Sequence, residues 1–280
     1  MITEHRTFEL AGRKTFEWVR GVPPMRLPVT MPNEACFYYI VEGNSRSFTP
    51  VGSVEQQPTE GLVLRCGNYF TEFLANRSDS FEAIAIHLYA ETLRMIYDRD
   101  FPDFLEEVDR VRPVQYEKRK ATELLTTYIQ SLQFYFENPQ LVSDELQKLK
   151  LKELMLLLAR TDKAADVRRL IAGLFSVVNH DFAAIVEANI YENLSGEELA
   201  HLCNMSLSTF KRTFRRVFGA APATYIRQRR LERAAQLLRR TDRSVSDVAY
   251  DTGFRDLAHF SRCFRKVYGH SPTEWRRQQG

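Results

Sequence analysis

Cationic side chains recur at fixed spacing in two stretches of the chain, "SLSTFKRTFRRVFG" from Ser206 to Gly219 and "DLAHFSRCFRKVYG" from Asp256 to Gly269. The stretches lie 50 residues apart, and seven of their fourteen positions are identical. Arginine and lysine pair with phosphates, and arginine also reads the edge of guanine through two parallel hydrogen bonds. The chemistry that these residues support is non-covalent recognition of a polyanion.

Each stretch is predicted to form a short helix with one apolar side and one basic side. The apolar residues follow one another at i, i+3, i+7 and i+10, which is helical spacing and predicts one buried stripe. The two predicted stripes consist of Leu207, Phe210, Phe214 and Val217 in the first stretch, and of Leu257, Phe260, Phe264 and Val267 in the second.

The ends of both helices carry recognisable boundary residues. Ser206 and Asp256 are favourable N-caps, and Gly219 and Gly269 suit the left-handed conformation that ends a helix. A short helical pattern and a tight turn precede each one, "SGEELAHLC" before the first and "SVSDVAYDT" before the second. This order predicts two helix-turn-helix units, whose second helices at 206–218 and 256–268 would enter the major groove of DNA.

The segment between the two units, "APATYIRQRRLERAAQLLRRT", predicts one continuous connecting helix. Pro222 stands at its start, and a helix from about Ala223 to Arg240 would be about 27 Å long. Successive major-groove faces of B-DNA lie about 34 Å apart. A connector of this length suits two recognition helices held about one helical turn of DNA apart.

Charge is unevenly distributed along the chain. Residues 195–280 contain 17 basic and 8 acidic residues, a net charge of +9, whereas the preceding 194 residues contain 22 basic and 28 acidic residues, a net charge of −6. A basic C-terminal third on an acidic body favours a polyanionic partner. A solvated basic face, or a helical module that binds another protein, is the alternative for this region.

The residues up to about Asp100 predict several short strands. Aromatic and β-branched runs such as "ACFYYIVEG" and "SFEAIAIHLYA" alternate with Gly, Asn and Ser, which favours a small antiparallel barrel or sandwich. Most of the aromatic side chains are expected to belong to the core, although they could instead line a ligand pocket. These aromatics are Phe37, Tyr38, Tyr39, Tyr69, Phe70 and Phe73.

After Pro113 the pattern becomes helical, with one helical pattern in 117–138 and another, starting at Ser143, in 143–160. The second spreads its leucines over two sides. Leu146, Leu149 and Leu156 fall on one side, and Leu151, Leu154 and Leu158 on the other. Such a helix either packs between two parts of its own domain or joins a second copy of the chain into a homodimer. A further helix is predicted from about Asp162 to Phe175.

Several functional classes lack support in the sequence. No signal peptide is expected in "MITEHRTFEL", and no run approaches the length of a membrane span. The four cysteines are far apart and are expected to be buried, reduced and inert, which argues against a reactive alkyl-acceptor cysteine. The region up to Arg112 has only His5 and His87 for a metal. We therefore expect neither enzymatic activity nor a cofactor or metal.

Residues from about Tyr191 to Arg277 resemble the AraC/XylS family of bacterial transcription regulators. The resemblance is carried by "SLSTFKRTFRRVFGAAPATYIRQRRLERAAQLL" and by "SVSDVAYDTGFRDLAHFSRCFRKVYGHSPTEWR". It implies base contacts by side chains near the start of each recognition helix and phosphate contacts by later basic residues. The implied base contacts are Ser208, Lys211, Arg212, Ala258, His259 and Arg262, and the implied phosphate contacts are Arg215, Arg216, Arg265 and Lys266.

The sequence thus predicts an α+β regulator in three parts. A barrel-like β-rich regulatory domain spans 1–112, a helical dimerisation region spans 113–180, and an all-helical DNA-binding domain with two helix-turn-helix units spans 181–280. The predicted function is sequence-specific binding to double-stranded promoter DNA in the bacterial cytoplasm, with homodimerisation through 143–160. The resemblance implies activation through RNA polymerase, and a small-molecule or protein effector is possible. The alternative is a ligand- or protein-binding sensor in which DNA binding is secondary.

Overall fold

The computed structural model describes residues 1–31, 34–75, 79–97, 116–120, 122–159 and 181–278. The chain divides into two compact units, one formed by Met1–Thr49 and Val54–Asn179 and the other by Pro50–Ser53 and His180–Gly280. The predicted helix from about Asp162 to Phe175 lies outside the described residues. Among those residues, no helix combines the length and the apolar character that a membrane crossing requires.

The first unit contains two antiparallel sheets followed by helices. The strands of these sheets are β1 (Ile2–Leu10), β2 (Arg13–Gly21), β3 (Met25–Met31), β4 (Glu34–Glu42), β5 (Asn44–Thr49), β6 (Gly52–Gln56, of which Val54–Gln56 belong to the first unit), β7 (Glu60–Leu64), β8 (Gly67–Leu74), β9 (Phe81–Tyr89) and β10 (Tyr116–Lys120). Its helices are α1 (Ala90–Tyr97), α2 (Glu123–Glu137), a short 3-10 turn (Pro139–Leu141) and α3 (Asp144–Ala159).

The strand order corrects the barrel-like expectation. Six strands form one sheet in the order β1-β2-β9-β4-β7-β10, and four form a second sheet in the order β3-β8-β5-β6. The described strands therefore make two separate sheets and no closed barrel. A second correction concerns Tyr116–Lys120, which lies in the segment predicted as helical but pairs antiparallel with β7. Pairing with a sheet edge overrides the local helical pattern there.

The six-stranded sheet has two buried faces, because side chains alternate along each strand. Phe37 and Tyr39 of β4 face the side where α2 and α3 pack, in one cluster with Tyr128 and Leu154. Their neighbours Cys36, Tyr38 and Ile40 instead pack with residues of the second sheet. The fold is thus a three-layer arrangement of helices, large sheet and small sheet, and the aromatics Phe37, Tyr39, Tyr69 and Phe73 are buried as predicted.

His87 joins three neighbouring strands of the large sheet. It lies on β9, with β2 on one side and β4 on the other. Its Nε2 is 3.1 Å from Oε2 of Glu17, and its Nδ1 is 3.2 Å from Oε2 of Glu34. Burial favours the neutral ring, yet the hydrogen bonds to the two carboxylates raise the pKa of His87. Burial likewise favours a neutral Glu17, but hydrogen bonds with His87 and Lys14 lower its pKa to about 2.

This arrangement gives the stability of the first unit a defined dependence on pH. His87 is expected to stabilise the unit fully below pH 6.5 and to lose that contribution as pH rises through its raised pKa. Glu17 contributes above pH 4.5 and loses its contribution as pH falls towards about 2. Calorimetric scans between about pH 5.5 and about pH 8.5 should show a falling Tm that His87→Gln abolishes.

His270→Gln is the matched control, because His270 is an exposed histidine of the second unit. It should leave the pH dependence of the first unit unchanged. An unaltered pH profile in His87→Gln would contradict the assignment.

Candidate nucleic-acid interface

The described residues 181–278 of the second unit form seven helices. They are α4 (Phe182–Asn189), α5 (Gly196–Leu202), α6 (Leu207–Phe218), α7 (Pro222–Arg240), α8 (Val245–Asp251), α9 (Leu257–Tyr268) and α10 (Pro272–Arg277). The order α5-turn-α6 and α8-turn-α9 confirms the two predicted helix-turn-helix units. The connecting helix α7 has 19 residues, which makes it about 28 Å long, and Pro222 begins it as expected.

The N-caps of the two recognition helices are those that the sequence predicts. The hydroxyl of Ser206 accepts a hydrogen bond from the backbone N–H of Thr209. The carboxylate of Asp256 accepts from the backbone N–H groups of Ala258 and His259, and these bonds lower the pKa of Asp256. Each cap satisfies N–H groups that have no partner within the helix, so both helices have a defined start.

The C-terminal ends are equally well defined. Gly219 has φ +70° and its N–H donates to the carbonyl of Arg215. Gly269 has φ +78° and donates to the carbonyl of Arg265. A left-handed residue at this position suits glycine, because side chains with a Cβ rarely adopt that conformation.

Two aromatic clusters repeat the same geometry beneath the recognition helices. The ring centroids of Phe214 and Phe218 lie 4.6 Å apart, and those of Phe264 and Tyr268 also lie 4.6 Å apart. In each cluster a ring from the following helix completes the packing. The four rings that repeat are Phe210, Phe214, Phe218 and Tyr225 in the first cluster and Phe260, Phe264, Tyr268 and Trp275 in the second. Phe182 of α4 adds a fifth ring to the first cluster, and Phe254 adds one to the second.

The predicted apolar stripes are wrong at their last position. Val217 is 46% exposed and Val267 is 57% exposed. In the last turn of each helix, the segment that follows packs on the neighbouring aromatic residue, Phe218 or Tyr268, and not on the valine. Their centroids lie 4.6 Å from Tyr225 and 4.8 Å from Trp275, respectively.

The turns of the two units share a left-handed residue but differ in length. Asn204 has φ +54° in the first turn, and Gly253 has φ +83° in the second. In the first turn, the N–H of Met205 donates to the carbonyl of Ala200 at 2.9 Å. In the second turn, the N–H of Phe254 donates to the carbonyl of Ala249 at 3.0 Å. Both alanines are buried, as expected where two helices cross closely. The second turn has one residue more before its N-cap, because Arg255 stands between Phe254 and Asp256.

All the side chains predicted to contact DNA are exposed on α6 or α9. Their individual contacts with bases or phosphates stay predictions. Two of them have neighbours on the same helix or its cap: the hydroxyls of Ser208 and Ser206 lie 3.1 Å apart, and Nε2 of His259 lies 3.4 Å from Sγ of Cys263. The exposed residues are Ser208, Lys211, Arg212, Arg215, Arg216, Ala258, His259, Arg262, Arg265 and Lys266.

The cysteines only partly match expectation. Cys36 and Cys203 are buried, and burial raises the pKa of both thiols, that of Cys203 to about 12. Cys66 and Cys263 are only partly buried, so the prediction of four buried thiols is wrong for these two. Among the described residues, all four thiols are free.

Sequence reasoning missed the contacts that join the second helix-turn-helix unit to α7 and to the segment before the first unit. Arg230 of α7 donates to the backbone carbonyls of Ile190 and Glu192 and to that of Gly253. Arg255 donates through Nε to the side-chain oxygen of Asn193. Arg230 stands in the basic run "RQRRLER", where an arginine resembles any solvated charge. Its separation of 40 residues from Ile190 carries no periodic signal.

Two family models match the chain, a helix-turn-helix domain over residues 199–278 and the ExsA N-terminal regulatory domain over residues 35–170. The chain is 28% identical to the transcriptional regulator ExsA of Pseudomonas aeruginosa over 201 residues, which is 70% of this chain and 69% of that protein. It is 33% identical to the transcriptional activator RhaS of an Enterobacter species over 135 residues, 48% of this chain and 46% of RhaS. The chain thus matches about half the length of RhaS.

A solved structure of a regulator with an AraC-type DNA-binding domain, from Chromobacterium violaceum, is 33% identical. The match covers 35% of this chain and 88% of the solved chain, with a TM-score of 0.32. The two family models lie on the two units separately and together account for most of the chain. The chain thus combines a C-terminal helix-turn-helix domain of the AraC type with an N-terminal region that matches the ExsA regulatory domain.

Proposed function

We propose that this protein is a sequence-specific DNA-binding regulator of transcription that activates promoters, placing α6 and α9 in successive major grooves. The observation that carries the proposal is the duplicated recognition helix, capped at both ends and packed on a repeated aromatic cluster. Activation through contact with RNA polymerase is part of the proposal, because the relative RhaS is named an activator.

The electrostatics of the second unit support this function. Arg212, Arg216, Arg262 and Lys266 are exposed along the two helices, opposite the buried phenylalanines. Phosphate contacts by residues such as Arg216 and Lys266 would supply affinity that falls with salt, because each one releases a counterion from the DNA. Side chains near the helix starts then supply the choice of sequence.

Replacing Arg212 separates base reading from charge. Arg212→Ala should weaken binding to the preferred duplex by about 1–3 kcal/mol and leave binding to a scrambled duplex nearly unchanged. The duplex comes from genomic fragments captured with the whole protein, and fluorescence anisotropy measures both affinities. Arg216→Ala is the control: it should weaken both duplexes alike and reduce the slope of log K against log salt by about 1. Equal losses on both duplexes for Arg212→Ala would reject the base-reading role.

We propose that the chain forms a homodimer through 143–160. On α3, Leu151, Leu154 and Leu158 are buried in their own unit. Leu149 and Leu156, seven residues apart, are 63% and 46% exposed. A separation of two helical turns places both on one side of the helix, where a second copy of α3 would cover them. This arrangement agrees with the two-sided leucine pattern of the sequence.

Sedimentation equilibrium of Leu149→Glu tests the dimer. Each copy would lose the burial of one leucine, about 1.5–3 kcal/mol, so the dimer Kd should rise at least about tenfold. Leu124→Glu is the control, because Leu124 is an exposed leucine of the neighbouring helix α2. An unchanged Kd in Leu149→Glu, or an equal rise in Leu124→Glu, would place the dimer elsewhere.

A cavity in the first unit supports a second candidate function, the binding of a small effector. It has a volume of about 470 Å³ and lies between the two sheets. Its walls are mostly apolar, with Leu27, Val29 and Phe73 among them, and Glu17 and His87 are polar lining residues. Cavities of this size hold small ligands with an apolar body and a polar group that fixes their orientation. We propose such an amphipathic effector.

Filling the cavity tests the effector site. Anilinonaphthalene sulfonate has an apolar body and a charged group, and its fluorescence should show saturable binding to the native protein. Ala85→Leu, which adds volume at a lining residue of β9, should reduce that binding at least about tenfold. Ala223→Leu at an exposed position of α7 is the control. Equal dye binding by both variants would exclude the cavity as the binding site of the dye.

A further inference from the structure

The guanidinium of Arg230 connects both helix-turn-helix units to the helix between them. Its Nε donates to the carbonyl of Ile190 at 2.8 Å, and its Nη2 donates to the carbonyl of Glu192 at 2.5 Å. Both carbonyls precede the first helix-turn-helix unit. Its Nη1 donates to the carbonyl of Gly253, in the turn of the second helix-turn-helix unit, at 2.7 Å.

Only arginine suits this position chemically. Its planar group presents five N–H donors in a fixed fork, whereas lysine offers a single ammonium and glutamine a single amide. Burial, reinforced by the neighbouring charge of Arg255, lowers the pKa of Arg230 to about 10. The side chain therefore keeps its charge at neutral pH and donates charge-assisted hydrogen bonds to all three carbonyls.

The backbone of the second helix-turn-helix unit also comes close to the segment before the first one at Gly253. A Cβ at this position would lie 2.5 Å from the carbonyl oxygen of Tyr191 and 2.8 Å from Cζ of Arg230. Glycine is therefore required both for its φ of +83° and for space. The corresponding residue of the first turn, Asn204, is exposed and carries a side chain.

The extra residue of the second turn adds another contact. Arg255 precedes the N-cap Asp256, where the first turn has no counterpart. Its Nε donates to Oδ1 of Asn193, in the segment before the first unit. The extra residue thus bonds the second helix-turn-helix unit to the segment that precedes the first one.

From these contacts we propose that Arg230 is a positioning residue that fixes the spacing and rotational phase of the two recognition helices. The helices α6 and α9 line one groove of about 590 Å³, through Lys211 and Arg215 on one helix and His259 on the other, and Arg230 also lines it. A pair of helices held in this way accepts two DNA half-sites at one separation. The inference rests on the proposed DNA-binding function and adds the residue that sets half-site spacing.

The experiment compares duplexes that differ only in spacing. Anisotropy measures the affinity of the full chain for the captured two-site duplex and for the same duplex with two base pairs inserted between the half-sites. The wild-type protein should prefer the natural spacing at least about 100-fold, because the inserted pairs rotate one half-site away from its helix. Arg230→Gln should lower that preference to less than about threefold, chiefly by weakening binding to the natural spacing.

Arg229→Gln is the matched control. Arg229 neighbours Arg230 on α7 but pairs with the side chains of Glu187 and Tyr225, neither of which belongs to the second helix-turn-helix unit. It should keep the wild-type spacing preference. Arg255→Ala is a second variant at an exposed position, and it should reduce the preference without unfolding the unit.

The outcomes are distinct. A wild-type spacing preference in both Arg230→Gln and Arg255→Ala overturns the inference, and so does an equal loss of affinity on both duplexes. A wild-type protein that binds neither duplex better than scrambled DNA instead overturns the proposed function.

Discussion

The burial of phenylalanine on one side of each recognition helix is the constraint on which the second unit depends. Phe210, Phe214, Phe260 and Phe264 are fully buried. Each aromatic side chain removes about 150–250 Å² from water, and edge and offset ring contacts add to that stabilisation. Since these side chains occupy the inner side of α6 and α9, the polar and basic residues are left on the outer side.

The same constraint explains why the two units are near copies. Two rings on successive turns, a third at the end of the helix and a fourth from the next helix pack with nearly equal distances in both. The copies differ where they meet each other. Gly253 and Arg255 belong to the second turn alone, and their partners Tyr191 and Asn193 precede the first unit. The four-ring arrangement is therefore repeated, whereas the contacts of Gly253 and Arg255 occur only in the second copy.

In the first unit, the alternation of side chains along the large sheet separates two tasks. One face, with Phe37 and Tyr39, packs on α2 and α3, and α3 also presents Leu149 to solvent. The opposite face, with His87, borders the cavity between the sheets. A single sheet thus contacts both the proposed dimerisation helix and the proposed effector cavity.

Much of the second unit could be predicted because its determinants are local. The caps Ser206 and Asp256 and the terminal glycines act within one turn of the helix they delimit. The β-rich character of the first unit was also predictable from its strand-forming runs. The pairing of Tyr116–Lys120 with β7 was not, because a five-residue strand takes its stability from a partner more than 50 residues away.

The sequence by itself determined the repeated helices, their ends and the side on which their charges lie, since helical spacing and capping are properties of neighbouring residues. Only the tertiary structure decided that Val217 is exposed, that Glu17 and Glu34 flank His87, and that Arg230 binds three carbonyls. Each of these depends on distant segments coming together, and the free energy of such a contact depends on burial and distance that a linear pattern does not encode.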